Sequence, residues 1–451
     1  MDRLPVELIS VIIRGLQQSN VSDGPLDRLT ETTQEGVDGW LIHTVASRRD
    51  ICNFRLVSRK FYNSSFPSFG ETLGDRVFRI TQTGLEDLFA IASTTSLRPH
   101  VRKLTLGTFR SDEVTIVRDL LKSLPEPHRT RLRASYTDDY RWHRSHRASL
   151  QTQDLAQLLR RLSNLRNVRI LLLDSWDMIN YLGEWLDPGI VAIVARELPK
   201  STSTLSVTDD NYKLRTTDLL TCLAPVFDAL KSTKTVLQDL GFGLNNAPAP
   251  NELFRTLDKI NIASSLRHLR LPMNPAHLME SGSFYYSCLI DTFQALSDIT
   301  HLTLSMVQVT DFEYCADAMD HFLDLLRPMG HLQYLTIRGT WWYSEDQLLD
   351  FVASRGAELI LLSLKDPVMH AGSWSSTVSR LAHLQPGNLR YFEACAMSTS
   401  NLSGRDLTDP IEDLDWKELL TAVEKPVEQW ATCSVYLSCS HHKYFFEPVD
   451  R

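Results

Sequence analysis

Three groups of side chains in this 451-residue chain have the types and spacing to do chemistry. Cys433, Cys439, His441 and His442 carry donor atoms suited to zinc, but their spacing matches no common structural site. Cys433 is better expected in the core of a last strand, and no metal is assigned. His128–Arg147 interleaves Arg129, Arg131, Arg133, Arg141, Arg144 and Arg147 with Tyr136, Tyr140 and Trp142. Guanidinium binds phosphate and rings stack on bases, so that composition is compatible with nucleic acid. Asp138 and Asp139 inside it, in a net acidic chain, favour a solvated surface insertion instead, and nucleic acid is not the expected partner. The third group is a series of polar and aromatic residues, His268, Arg270, His301 and Tyr334, followed by Trp341, Trp342 and Tyr343. Exposed Trp, Tyr and Arg are typical of interface hot spots. A Trp pair also commonly covers the open edge of a core, so Trp341 and Trp342 have two readings.

Motifs for bond-making chemistry are missing. The chain has no G-x-x-x-x-G-K-[ST], no H-E-x-x-H and no G-x-S-x-G, and Gly241-Phe-Gly243 lacks a third glycine. No catalytic residue and no cofactor are assigned, and a binding protein is expected rather than an enzyme.

The third group is positioned by a repeat. Leu266-Arg-His-Leu269-Arg-Leu271 reads L-x-x-L-x-L, and the spacing recurs at Val101/Leu104/Leu106, Leu165/Val168/Ile170, Thr202/Leu205/Val207 and Leu237/Leu240/Phe242. It continues at Ile299/Leu302/Leu304, Leu332/Leu335/Ile337, Leu359/Leu362/Leu364 and Leu389/Phe392/Ala394. After the first gap the period is about 30 residues, a mark of stacked repeats. The last two apolar positions are two apart and face one side of a strand. One unit cannot bury that face, whereas stacked units form a continuous parallel sheet. Parallel strands need crossovers, and helices are expected at Met319–Leu326, Ser344–Ala357 and Thr377–Leu384, each with apolar residues at i, i+3, i+4. Residues alternating with the core leucines (His268 and Arg270, His301 and Thr303, Tyr334 and Thr336, Leu361 and Ser363) then line the other face. Asn245 and Asn274 fall where strand-to-helix turns are expected. Thr432–Ser438 reads as a last strand, Asp415–Trp430 as a final helix, and 441–451 as a polar tail.

The N-terminus differs. Leu4, Leu8, Ile9, Ile12, Ile13 and Leu16 form a broad apolar stripe on a short helix, with Pro5 at its start and Glu7 in its first turn. Residues 17–46 read as an inserted polar loop, and a second helix is expected over Asp50–Asn63 with Asp50 as N-cap. Leu4-Pro5-x-Glu7-Leu8 and Asp50-Ile51-Cys52-Asn53-Phe54-Arg55-Leu56-Val57-Ser58-Arg59-Lys60-Phe61 resemble the two halves of an F-box, with the intervening turn expanded by the insertion. Residues 66–108 are similar to the segment that follows the F-box in many fungal proteins, and the repeats resemble degenerate leucine-rich repeats.

The fold expected is therefore α/β: a helical F-box-like module over 1–66, then a leucine-rich-repeat-like solenoid over 67–451, with a parallel sheet, outer helices and a basic loop insertion at 109–150. The resemblance implies a substrate-recognition subunit of an SCF-type cullin–RING ubiquitin ligase. Adaptor contacts would then fall on Leu4, Pro5, Leu8, Ile9, Ile12, Leu56 and Val57, and a target protein on the solenoid at His268, Arg270, His301, Tyr334, Trp341 and Trp342. The alternative is an interaction scaffold with no ligase role.

Composition sets outer bounds. A formal charge of −8 argues against general affinity for nucleic acid or anionic membranes. Seven scattered cysteines without a C-x-x-C pair favour a reducing compartment. With no long uncharged apolar run and no signal-peptide pattern, a cytoplasmic or nuclear location is expected.

Overall fold

A computed structural model describes residues 5–16, 45–74, 77–79, 82–108, 148–172, 226–233, 235–243, 265–273, 298–306, 318–339, 341–384, 388–395, 397–399, 433–438 and 443–446, with positions 126, 129, 130, 293, 294 and 296. The architecture is mixed α/β, with mostly parallel strands joined through helices. The chain divides into two compact units, residues 1–20 with 40–245 and residues 21–39 with 246–451.

The first unit opens with three helices, α1 (Val6–Leu16), α2 (Val45–Arg55) and α3 (Arg59–Ser64). Ile9, Ile13 and Phe61 form their common core, with Phe54 against it. Helix α4 (Phe66–Gly74) leads to β1 (Val77–Arg79), α5 (Gln82–Ser93), β2 (Lys103–Thr108), α6 (Ala148–Arg161), β3 (Asn167–Leu172) and β4 (Asp239–Gly243). The four strands pair in chain order, all parallel. Two glycines let α4 lie flush against the start of the sheet. A Cβ on Gly70 would come within 2.6 Å of the His100 carbonyl oxygen, and one on Gly74 within 2.5 Å of Lys103 Cβ. The Thr105 hydroxyl donates to the Gly74 carbonyl at 2.6 Å, fixing the join.

In the second unit β5 (His268–Met273), β6 (His301–Met306), β7 (Tyr334–Arg338), β9 (Leu361–Lys365), β11 (Tyr391–Cys395) and β13 (Ser434–Ser438) pair in that order, all parallel. Helices α7 (Ala318–Leu326), α8 (Glu345–Arg355) and α9 (Trp374–Leu384) make crossovers and pack side by side. Their bounds match the expected helices to within three residues. The register puts Leu269, Leu302, Leu335, Leu362, Phe392 and Val435 in one row. Leu271, Leu304, Ile337, Leu364, Ala394 and Leu437 form a second row. All twelve are buried. The leading residues Leu266, Ile299, Leu332, Leu359 and Leu389 are buried too, as the spacing predicts.

Three expectations are corrected. The helix expected over Asp50–Asn63 is broken at Leu56–Ser58. Ser58 takes an extended backbone and its hydroxyl accepts from the Phe61 N–H, capping a new helix, while Asp50 lies inside α2 and caps nothing. The tail contains strand β14 (Lys443–Phe446), antiparallel to β13. Of the two readings of Trp341 and Trp342 the exposed one falls, because with Tyr343 both are buried. Gly339, at φ 100°, turns the chain inward, and β8 (Trp342–Ser344) pairs in parallel with β10 (Val368–Ala371). A two-residue strand, β12 (Ser398–Thr399), pairs on the far side of β10. This second ladder packs against α7 through β8. Thr202/Leu205/Val207, Asn245, Asn274 and Asp415–Trp430 lie outside the described residues.

Leu362 is fully buried between Leu335 and Phe392 on the two flanking strands, whereas Leu384 is 43% exposed. Leu362→Ala is expected to lower the unfolding free energy by about 2–5 kcal/mol and Leu384→Ala by less than about 1 kcal/mol, measured by urea titration.

Candidate functional site

Two surfaces carry the residues of interest, one in each unit. In the first unit, helix α1 is apolar on two sides. Ile9 and Ile13 face the module core, while Leu8, Val11 and Ile12 remain exposed, Leu8 by 50%. Ile9 is therefore a core residue and not a docking residue: the 100° step between neighbours in a helix turns it inward beside Phe61. Pro5 is exposed, and its carbonyl accepts the Ile9 N–H at 3.2 Å. Leu4 lies outside the described residues. Leu56 and Val57 sit in the break between α2 and α3, exposed by 83% and 53%. Helix α1 packs on both α2 and α3, so the two sequence stretches, far apart in the chain, belong to one small helical module.

The break is held by Arg55. Its guanidinium lies over the rings of Tyr62, Phe66 and Phe69, at 4.3, 4.8 and 4.0 Å from their centroids. It also donates to the Ser65 hydroxyl at 3.3 Å, and Ser65 donates in turn to the Tyr62 carbonyl. Burial lowers its pKa, but an arginine remains charged at neutral pH, and the ring faces compensate the lost hydration. With Arg55 drawn inward, the next two residues are turned out.

In the second unit the strand face opposite the leucines has its own rows. His268, His301, Tyr334, Leu361 and Tyr391 are register partners on adjacent strands. His301 stacks on Tyr334 with centroids 4.1 Å apart and planes 6° from parallel, and meets His268 at 4.1 Å with planes at 62°. Strands lie about 4.8 Å apart, which brings neighbouring rings along the row into contact. His301 Nδ1 is 2.8 Å from the Thr300 hydroxyl. Burial, and then the charge of His268, push the pKa of His301 down to about 3. Burial, and then Tyr391, raise that of Tyr334.

The next row holds Arg270, Thr303, Thr336, Ser363 and Glu393. The Thr and Ser side chains are short and shaded by their neighbours, and Leu361 is likewise buried. Beyond them Arg338, Lys365 and Cys395 are partners. Glu393 ties this corner together. It accepts from Ser363 at 2.5 Å and from Lys365, and Cys395 donates to it at 3.2 Å. Burial opposes the Lys365 ammonium, but Glu393 and Cys395 together outweigh it and raise its pKa.

His268, Arg270, His301 and Tyr334 thus lie together and half-buried on one strand face. Trp341 and Trp342 do not join them. Trp341 is fully buried beside Phe322 and donates to the Arg338 carbonyl at 3.2 Å, and Trp342 is 7% exposed in the second ladder. They are core residues because Gly339 reverses the chain before them. Arg338, Tyr391 and Glu393 were not singled out from the sequence. Alternation about Ile337, Phe392 and Ala394 would have named them, but Phe and Ala in place of leucine weaken that repeat.

Cys433 is buried, and burial pushes its thiol up to about 12, as suits a core residue; Cys439, His441 and His442 lie outside the described residues. Most of the basic segment His128–Arg147 does too, apart from Arg129, which pairs with Glu126 at 3.2 Å, and Thr130. Among the described residues no three His, Cys, Asp or Glu side chains converge as metal ligands, and no helix is long and apolar enough to cross a membrane. Comparison with models of known protein families and with curated proteins finds no match for this chain.

Arg55→Ala should reduce stability by about 1–3 kcal/mol and speed hydrogen exchange over α2 and α3, whereas Leu56→Ala should leave the unfolding midpoint nearly unchanged. His301 binds a proton in the unfolded chain below its ordinary pKa of 6.5 but in the folded chain only near 3, so its neutral form stabilises the fold above 6.5. That contribution is lost as pH falls from 6.5 towards 3. His301→Phe keeps the stack and should flatten the decline in urea midpoint between neutral and acidic buffer.

Proposed function

We propose that this chain is the substrate-recognition subunit of an SCF-type cullin–RING ubiquitin ligase. It docks the adaptor protein of the complex through its N-terminal helices. A target protein is held on the strand face of a leucine-rich-repeat-like solenoid. One observation carries the reading. Leu8, Val11 and Ile12 on α1, and Leu56 and Val57 at the α2–α3 break, stay exposed on helices whose own core is complete without them. Water-exposed apolar side chains concentrated on a small module are costly unless a partner covers them. Leu8, Leu56 and Val57 fall within the two sequence stretches that resemble the halves of an F-box, and Val11 and Ile12 continue the first along α1.

On this reading the chain contributes no ubiquitin-transfer chemistry. Its role is geometric, and the flush packing of α4 on His100 at Gly70 and on β2 at Gly74 serves it by joining the docking helices firmly to the first strands.

The test is capture of the purified cullin adaptor by the full chain. Wild type should bind, while Leu56→Glu and Leu8→Glu should each weaken capture by about tenfold or more without altering the thermal midpoint. If wild type fails to bind, even after 17–44 is shortened to a tight turn, the ligase role falls and an interaction scaffold takes its place.

A further inference from the structure

Lys365, Glu393 and Cys395 bring an amine, a carboxylate and a thiol within reach of one another at one corner of the strand face. Cys395 on β11 and Lys365 on β9 are register partners, so the sheet itself sets their side chains beside each other. The Lys365 Nζ lies 3.4 Å from the Cys395 Sγ, and the thiol donates to Glu393 Oε1 at 3.2 Å. The second oxygen of Glu393 accepts from the Ser363 hydroxyl at 2.5 Å, which holds the first towards the thiol. The corner is open to small solutes: Lys365 is 31% exposed and Cys395 is half-buried. Reactive thiols sit in such partly exposed places beside a cation, and a neighbouring base that takes the proton supplies the thiolate. Cys433 lacks this setting, since it is buried and burial pushes its thiol up to about 12.

The geometry points to Cys395 and Lys365 as a peroxide-responsive pair, in which Cys395 is oxidised to a sulfenic acid and then joined to Lys365 through a sulfur–nitrogen bond. In the first step Glu393 takes the thiol proton and the sulfur attacks one oxygen of hydrogen peroxide. The O–O bond breaks, sulfur gives up an electron pair to the peroxide, and the leaving hydroxide takes the proton back from Glu393 and departs as water. Burial opposes the charge of Lys365, but Glu393 and Cys395 outweigh it, so the lysine rests as ammonium and the thiol meets the oxidant first. In the second step the Glu393 carboxylate takes one ammonium proton and Nζ attacks the sulfur. The S–O bond breaks, and the hydroxide leaves as water with a further proton from the nitrogen. A sulfenic acid condenses with a backbone nitrogen by the same loss of water. The product ties β9 to β11 covalently and removes one positive charge from the strand face. The pair lies in the second unit and does not depend on the docking role of the N-terminal helices.

The experiment is peptide mass spectrometry on the full chain after brief exposure to hydrogen peroxide at neutral pH, with and without a thiol reductant. Wild type should yield a linked pair of peptides, one carrying Lys365 and the other Cys395. The pair should be lighter than the sum of its parts by a pair of hydrogen atoms, and the reductant should separate it. In Lys365→Arg the link should vanish while a sulfenic-acid trap labels Cys395. In Glu393→Gln the link should form about tenfold or more slowly. Thermal midpoints of the reduced variants check that they fold, and the wild-type spectrum decides the matter without them. Three results would each overturn the inference. One is a Cys395 still reduced at a peroxide dose that oxidises the exposed Cys52. Another is a Cys395 driven to sulfinic acid with Lys365 unlinked. The last is a linking rate indifferent to Glu393→Gln.

Discussion

In the second unit each parallel strand sets its two core side chains directly opposite those of the strand before it. The rest of that unit depends on this register. A slip by one residue would move every leucine to the opposite face and bring His, Arg and Tyr into the core. Backbone bonds hold it from the first residue of each strand. The N–H groups of Gln333 and Tyr334 share the Thr300 carbonyl, those of Ile360 and Leu361 share Gln333, and those of Arg390 and Tyr391 share Ile360. Each turn into a strand is therefore aligned by the turn before it.

Side-chain ties between repeats supplement that alignment. Arg355, at the end of α8, donates to the carbonyls of Arg327 and Met329 behind α7. Glu345, at the start of α8, accepts from the Ser373 N–H and the Ser376 hydroxyl at the start of α9 and from Arg380 further along it. Burial works against that carboxylate, but these donors together lower its pKa, so it stays ionised at neutral pH. Gly372, at φ 97°, lets the chain pass so close that a Cβ there would lie 2.4 Å from the glutamate side chain. Such bonds fix the angle between neighbouring helices and so the spacing of the strand face they support. A row of rings can stack from strand to strand only where that spacing is regular.

The helical module follows a different logic. It is too small to bury all its apolar residues, and Arg55 decides which are left out. Drawing one guanidinium among three rings ends α2, lets Ser58 start α3, and leaves Leu56 and Val57 in water. A continuous helix over the same residues would have presented a different apolar stripe.

Periodicity was readable without coordinates. The L-x-x-L-x-L spacing named the core rows of β5, β6, β7, β9 and β11 and placed the three crossover helices of the second unit, because alternation and the 3.6-residue turn are local properties of the backbone. It also identified the face that carries His268, Arg270, His301 and Tyr334. What the spacing left open depended on residues distant in sequence. Trp341 and Trp342 have the composition of an exposed hot spot, and only the turn at Gly339 and the pairing of β8 with β10 put them inside. Ile9 and Leu8 are adjacent and equally apolar, and the packing of Phe61 decided which one faces the core. The Lys365–Glu393–Cys395 corner joins two strands through a register that no single repeat encodes. Burial and pairing are set by neighbours from other parts of the chain, so the tertiary structure alone could assign them.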